Sequence, residues 1–126
     1  MSPAYTDDVV AFLHRFDLGK YETDAYLTLL QYGPQNYKGL AERSHVPYGK
    51  IYATMKALDA KGWITTLNRR PKLFCAVPPK IPLQTSIDRI KKRVSKLEAT
   101  FQRIGPHLTT LYTQSHPRAV ENIEEA

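Results

Sequence analysis

The sequence predicts a mainly α-helical chain that carries one small β-hairpin and ends in a long amphipathic helix. Three observations lead there. Apolar residues recur at helical spacing from Val9 to Leu58, the pattern alternates between Trp63 and Val77, and from Leu83 to Leu111 it becomes an unbroken repeat of four and three. The chain has 126 residues, 42% of them hydrophobic and 24% charged, which suits one modest domain with an appendage. Eight Tyr, four Phe and one Trp supply bulk for a small core and argue against a wholly disordered chain. A core of this size is marginal on area alone, so a second packing surface is expected to add stability.

Thr6 is placed as the N-cap of a first helix of about ten residues, because Asp7 and Asp8 follow it in the turn where the helix dipole favours anions. Val9, Phe12, Leu13 and Phe16 share its apolar face, and Asp17-Leu18-Gly19 interrupts it. A second helix from about Tyr21 to Tyr32 turns Ala25, Tyr26, Leu29 and Leu30 inward, with Gly33-Pro34 as its stop. A short third helix, about Tyr37 to Arg43, carries Leu40 and Ala41 inward. After the turn at Ser44-His45-Val46-Pro47, a fourth helix takes Pro47 as its first residue and Gly62 just past its end. Ile51, Met55 and Leu58 form its single apolar stripe.

Trp63–Leu67 and Lys72–Val77 read as two strands joined by Asn68-Arg69-Arg70-Pro71; Pro78-Pro79 ends the second and Pro82 delays the next element. Helices, a turn, a further helix and a basic hairpin in this order make a winged helix-turn-helix. The fourth helix is then the recognition helix, and the hairpin is the wing.

Charge supports that reading. Between Lys38 and Lys80 there are nine basic residues against two acidic, whereas the rest of the chain has nine against ten. All of the excess positive charge therefore sits in 43 residues, as in a polyanion-binding module; the alternative is a solvated basic face. The face of the recognition helix opposite its stripe carries Tyr48, Gly49, Lys50, Tyr52, Ala53 and Lys56, with no carboxylate before Asp59. Lysine contacts guanine edges or phosphate, and tyrosine donates to phosphate or packs on sugar and thymine methyls. Arg69, Arg70 and Lys72 on the wing are expected on phosphate or in a narrow minor groove. Tyr37 and Lys38 open the third helix, where backbone N–H groups favour phosphate.

Three stretches also resemble a known family, the TrmB-like archaeal transcription regulators. Leu18-Gly19-Lys20-Tyr21-Glu22-Thr23-Asp24-Ala25-Tyr26-Leu27-Thr28-Leu29-Leu30 is similar to that family's opening helix. Leu40-Ala41 through Val46-Pro47, with Lys50-Ile51-Tyr52 and Leu58 and Gly62, resembles its helix-turn-helix. Pro71-Lys72-Leu73-Phe74-Cys75-Ala76-Val77-Pro78-Pro79 resembles its wing strand. The likeness covers roughly residues 18 to 80 and implies transcription regulation through double-stranded DNA. Larger family members carry a C-terminal sugar-binding domain, to which nothing in this sequence corresponds, so no sugar ligand is expected.

In the last helix the a positions of the heptad are Ile87, Val94, Phe101 and Leu108; the d positions are Leu83, Ile90, Leu97, Ile104 and Leu111. These 29 residues of helix extend about 43 Å at ~1.5 Å per residue. A stripe that long exceeds what so small a domain covers, which favours a homodimeric coiled coil over a helix folded back on its own chain. Gly105-Pro106 is expected to kink the helix near Gln102, because proline removes a ladder hydrogen bond. Lys91, Lys92, Arg93 and Lys96 read as a solvated face of the coil, the alternative being contact with flanking DNA. The expected organisation is a winged domain over 1–80, a dimerisation helix over 81–115 and a frayed acidic tail over 116–126.

Several function classes are disfavoured. There is no Walker-type loop, HExxH, GxSxG or CxxC motif, so no enzyme and no cofactor are expected. Cys75 is single and reads as a packing residue, and His14, His45, His107 and His116 match no metal-ligand spacing. The longest apolar run, Val9–Leu13, falls far short of a bilayer span, and the N-terminus lacks a secretory pattern; no membrane partner and a cytoplasmic location are expected. The expected activity is that of a homodimeric DNA-binding regulator, the simplest kind being a repressor that occludes its promoter. The rival readings are an architectural, chromatin-like DNA binder of low sequence specificity and a protein-interaction module of the transcription machinery.

Overall fold

The computed structural model describes residues 6–117. The chain divides into two compact units, between Ser86 and Ile87. The expected tail over 116–126 lies, from 118 onward, outside the described residues.

The first unit opens with α1 (Asp7–His14), eight residues rather than about ten. Thr6 stands at the N-cap with extended backbone, but its side chain makes no capping bond; its carbonyl accepts from Val9 N at 3.1 Å instead. Only Leu13 of this helix is buried, and Phe12 stays 48% exposed although its spacing predicts an inward place. The helix is too short to lay its whole stripe on the core. Asp17 turns the chain with φ 64°, a left-handed conformation that aspartate tolerates better than most residues.

Helix α2 (Lys20–Tyr32) is the centre of the domain: Thr23, Ala25, Tyr26, Leu27, Thr28 and Leu29 are all buried. The Gly19 N–H donates to Glu22 Oε1 at 3.1 Å, which satisfies one donor at the helix start. Leu30, expected in the core, is exposed, because neighbours cover the other sides of α2 and leave this one open. Gly33 ends the helix with φ 80° and ψ −166°, a region open essentially to glycine. Helix α3 (Tyr37–Arg43) is capped by Asn36, whose side chain accepts from Gly39 N at 2.8 Å.

Helix α4 (Tyr48–Ala60) buries Ile51, Thr54, Met55 and Leu58. Pro47 sits at its N-cap, one place earlier than expected. Its C-terminus is a Schellman motif: Trp63 N donates to Leu58 O at 3.0 Å, Gly62 N donates to Asp59 O at 3.1 Å, and Gly62 has φ 84°. That turn throws Trp63 back into the core, where it is 2% exposed and meets Tyr26 edge-on at 5.1 Å between ring centres. Burying such rings contributes a large share of the apolar burial that holds a small domain together.

Strands β1 (Ile64–Leu67) and β2 (Leu73–Ala76) pair antiparallel, with Ile64 opposite Ala76 and Leu67 opposite Leu73. Both are shorter than the expected runs, because Trp63 belongs to the helix cap and Lys72 to the connection. A third segment joins the sheet. Gln35 exchanges both backbone hydrogen bonds with Phe74, at 3.1 and 2.8 Å, and so anchors the wing to the linker before α3. The wing's root is tied again by the Tyr26 hydroxyl, which donates to Val77 O at 2.7 Å. Burial pushes the Tyr26 phenol up to about 12, since the phenolate would lie in an apolar surrounding.

Helix α5 (Lys80–Ser115) begins without the delay expected at Pro82, which is accommodated in the first turn where no intrahelical donor is needed. Leu83 packs against the core of the winged unit rather than standing free in the seam. Beyond Ile87 the helix continues to Ser115 with Pro106 inside it, so the Gly105-Pro106 pair does not end it. Ile87, Ile90, Val94, Leu97, Phe101, Leu108 and Leu111 are exposed there by 36% to 72%, and Ile104 is half-buried.

Candidate nucleic-acid interface

The exposed side of α4 follows from the burial of the other side. With Ile51, Met55 and Leu58 fixed inward, helical geometry turns Tyr48, Gly49, Lys50, Tyr52, Ala53 and Lys56 to the surface, and all six are exposed. Tyr48 is 76% and Tyr52 62% exposed, unusually open for residues of that bulk. Arg69, Arg70 and Lys72 project from the connection between β1 and β2, also exposed.

Tyr37 joins the two parts. It is half-buried, meets Phe74 of β2 edge-on at 4.9 Å between ring centres, and lies against Tyr52 of α4 at 6.3 Å with planes 24° apart. Burial, and then the neighbouring Tyr52, push the Tyr37 phenol above its ordinary value and keep it a hydrogen-bond donor. Its ring therefore acts as a spacer between α4 and the hairpin. Lys38, one residue on, is exposed.

Two clefts flank this spacer. The larger, about 450 Å³, runs between α4 and the hairpin and brings together Tyr37, Tyr52, Lys56 and Lys72 from the expected set. The smaller, about 350 Å³, collects Tyr37, Lys38, Tyr48 and Lys72. Gly49, Lys50, Ala53, Arg69 and Arg70 line neither and lie on open surface. Asp59, Thr66 and Asn68 also line the larger cleft, though sequence reasoning does not select them. Asp59 is legible by spacing, seven residues after Tyr52 and three after Lys56; Thr66 requires the strand register that sets it opposite Phe74.

A latch holds the far end of α4. Lys61 Nζ donates to Asp17 O at 2.6 Å and lies 2.8 Å from Glu22 Oε2, which ties the end of α4 to α2 and the turn before it. Among the described residues no cluster of three His, Cys, Asp or Glu side chains is placed to hold a metal ion, and no helix is long and apolar enough to cross a membrane.

Comparison with known proteins agrees with this architecture. The family described as "Sugar-specific transcriptional regulator TrmB" matches residues 13–80. The HTH-type sugar sensing transcriptional regulator TrmBL1 of Pyrococcus furiosus is 31% identical over 112 residues, covering 85% of this chain and 33% of that protein. The uncharacterized protein YrhO of Bacillus subtilis is 27% identical over 101 residues, 75% of this chain and 37% of its own length. Among solved structures, the archaeal chromatin protein TrmBL2, described as showing a novel mode of DNA binding, superposes with a TM-score of 0.73 at 27% identity, covering 86% of this chain and 43% of that one. The chain thus spans about a third of the length of the curated relatives it matches. With a family match over more than half of its residues and a winged helix-turn-helix to correspond, the chain belongs to the TrmB family of transcriptional regulators.

Proposed function

We propose that this protein binds double-stranded DNA as a homodimer and represses transcription in the cytoplasm by occluding a promoter. The observation that carries the reading is the joint exposure of Tyr48, Lys50, Tyr52 and Lys56 on α4 and of Arg69, Arg70 and Lys72 on the wing, a set of aromatic and cationic groups. In this reading α4 enters the major groove and the wing lies on the adjacent groove or backbone. Lys50, with Tyr48, Gly49 and Ala53 beside it, reads base edges; Lys38, Tyr37, Arg69, Arg70 and Lys72 hold phosphate.

The dimer in this reading is supported by the seam of α5, from Ile87 to Leu111. Seven large apolar side chains exposed along one helix are poorly stable in water, and a second copy of the helix covers them. The winged domain over 1–80 then binds, the helix over 81–115 dimerises, and two-fold symmetry implies a roughly palindromic site.

Fluorescence anisotropy of a labelled duplex at several salt concentrations tests the proposal. Six cations on the proposed face, Lys38, Lys50, Lys56, Arg69, Arg70 and Lys72, predict a slope of log K against log salt between about −5 and −9, at about −0.9 per phosphate and with some contribution from both protomers. Lys50→Ala should reduce discrimination between cognate and random duplexes, while Arg70→Ala should weaken both alike. Absence of binding at low salt overturns the reading. A second reading, an architectural binder of low specificity, is favoured by the likeness to the chromatin protein TrmBL2; equal competition by random DNA would select it.

A further inference from the structure

The larger cleft between α4 and the hairpin has a mixture of charges that a surface for phosphate alone does not need. Tyr37 and Tyr52 give the cleft an aromatic side, while Met55 and Phe74 lie beneath, 1% and 3% exposed. Lys56 from α4 and Lys72 from the hairpin are its cations, and Asp59 stands among them.

Asp59 is the unexpected member. It lies in the last turn of α4, where the helix dipole disfavours a carboxylate, so it does not serve the helix. No ion pair or side-chain hydrogen bond engages it among the described residues: the ion pairs found join Lys61 to Asp17 and Glu22. Nor does it serve a polyanion, since a carboxylate lining the same cleft as Lys56 and Lys72 weakens phosphate binding there. Two cations, one anion and a pair of tyrosine rings in a cleft of about 450 Å³ instead match a small zwitterion that carries an aromatic ring.

We propose that this cleft is a ligand site for an α-amino acid with an aromatic side chain. The carboxylate of the ligand pairs with Lys56 and Lys72, its ammonium group pairs with Asp59, and its ring lies on the Tyr37–Tyr52 pair. Thr66 and Asn68 supply further hydrogen bonds from the hairpin side. Because Lys56 and Lys72 also belong to the proposed DNA surface, the ligand withdraws them from phosphate and lowers DNA affinity. This regulatory consequence rests on the DNA-binding reading; occupancy of the cleft does not.

The test uses the full chain and L-phenylalanine as probe, with 3-phenylpropionate and phenethylamine as controls that each lack one charge. Backbone amide shifts read occupancy without DNA. The expected result is saturable perturbation of residues around Tyr52–Asp59 and Thr65–Phe74 at millimolar L-phenylalanine, with weaker binding of both controls. Asp59→Asn, exposed and conservative, should weaken L-phenylalanine about tenfold, the scale of one charge-assisted hydrogen bond removed, and leave 3-phenylpropionate unchanged. With duplex present, saturating ligand should reduce the magnitude of the salt slope by about 1.8 per protomer, because two phosphates are released at about 0.9 each. No saturable shift in the cleft, or an Asp59→Asn variant that binds as the parent does, overturns the site. Occupancy without any change in DNA affinity overturns the regulatory role, and occupancy by a chain that binds no DNA at all overturns the DNA-binding reading while leaving the site standing.

Discussion

Replacing Tyr26 by phenylalanine isolates one hydroxyl at the root of the wing. That hydroxyl is fully buried with its ring and donates to Val77 O at 2.7 Å, while Val77 N donates in turn to Trp63 O at 2.9 Å and closes the hairpin. Tyr26→Phe keeps the ring and its edge-on contact with Trp63, so no large cavity forms. It leaves a carbonyl without its donor, which costs about 1–2 kcal/mol. For a domain of this size each kcal/mol moves Tm by about 4–8 °C, so a fall of roughly 5–15 °C is expected at neutral pH. The pH dependence supplies a second check. The folded phenol lies at about 12 against an ordinary 10.0, so the neutral form is favoured in the folded state. The folded state's preference is therefore fully present below pH 10 and is lost as pH rises toward 12. Phenylalanine does not ionise, so the gap between parent and variant should close across that window. Thermal melts by circular dichroism from neutral to alkaline pH measure both. An unchanged Tm at pH 7, or a gap that stays constant to the top of the window, would refute the reasoning.

Other outcomes follow from the same geometry. Gly62→Ala meets no atom within 4 Å, so its cost is backbone alone, about 1–2 kcal/mol for φ 84°; Gly33→Ala should cost more, because ψ −166° at φ 80° lies outside the left-handed basin. Denaturant titrations of the two variants give the order directly. Val94→Asp combined with Leu97→Asp should convert a dimer to a monomer in sedimentation equilibrium while the winged domain keeps its near-ultraviolet spectrum, since neither side chain belongs to the core. A parent that already sediments as a monomer would refute the seam's role. Lys61→Met removes the partner 2.8 Å from Glu22 and should cost about 1 kcal/mol, the upper end for partly exposed pairs, read by chemical denaturation.

Much of the winged unit is legible because its signals are local. The stop at Gly33, the Ile51-Met55-Leu58 stripe and the glycine after α4 each depend on residues within a turn or two of one another, and each stands where its chemistry places it. Once the stripe is inward, the exposure of Tyr48, Lys50, Tyr52 and Lys56 follows from helical geometry, without knowledge of any neighbour. Leu30 and Phe12 depart from expectation for the complementary reason: periodicity marks a face as apolar, but whether another element covers it is decided by helices distant in sequence.

By itself, then, the sequence determined the order of elements, the face of α4 left to solvent, the concentration of positive charge around α4 and the wing, and the heptad seam from Ile87 to Leu111. Only the tertiary structure decided that Gln35 adds a third segment to the wing's sheet, that Tyr37 spaces the wing from α4, that Leu83 serves the core, and that Asp59 joins Lys56 and Lys72 in one cleft. The physical reason is range. Caps, turns and periodicity are set by contacts a few residues apart, whereas a cleft between a helix and a hairpin exists only after the Schellman turn at Gly62 has brought the chain back across α4.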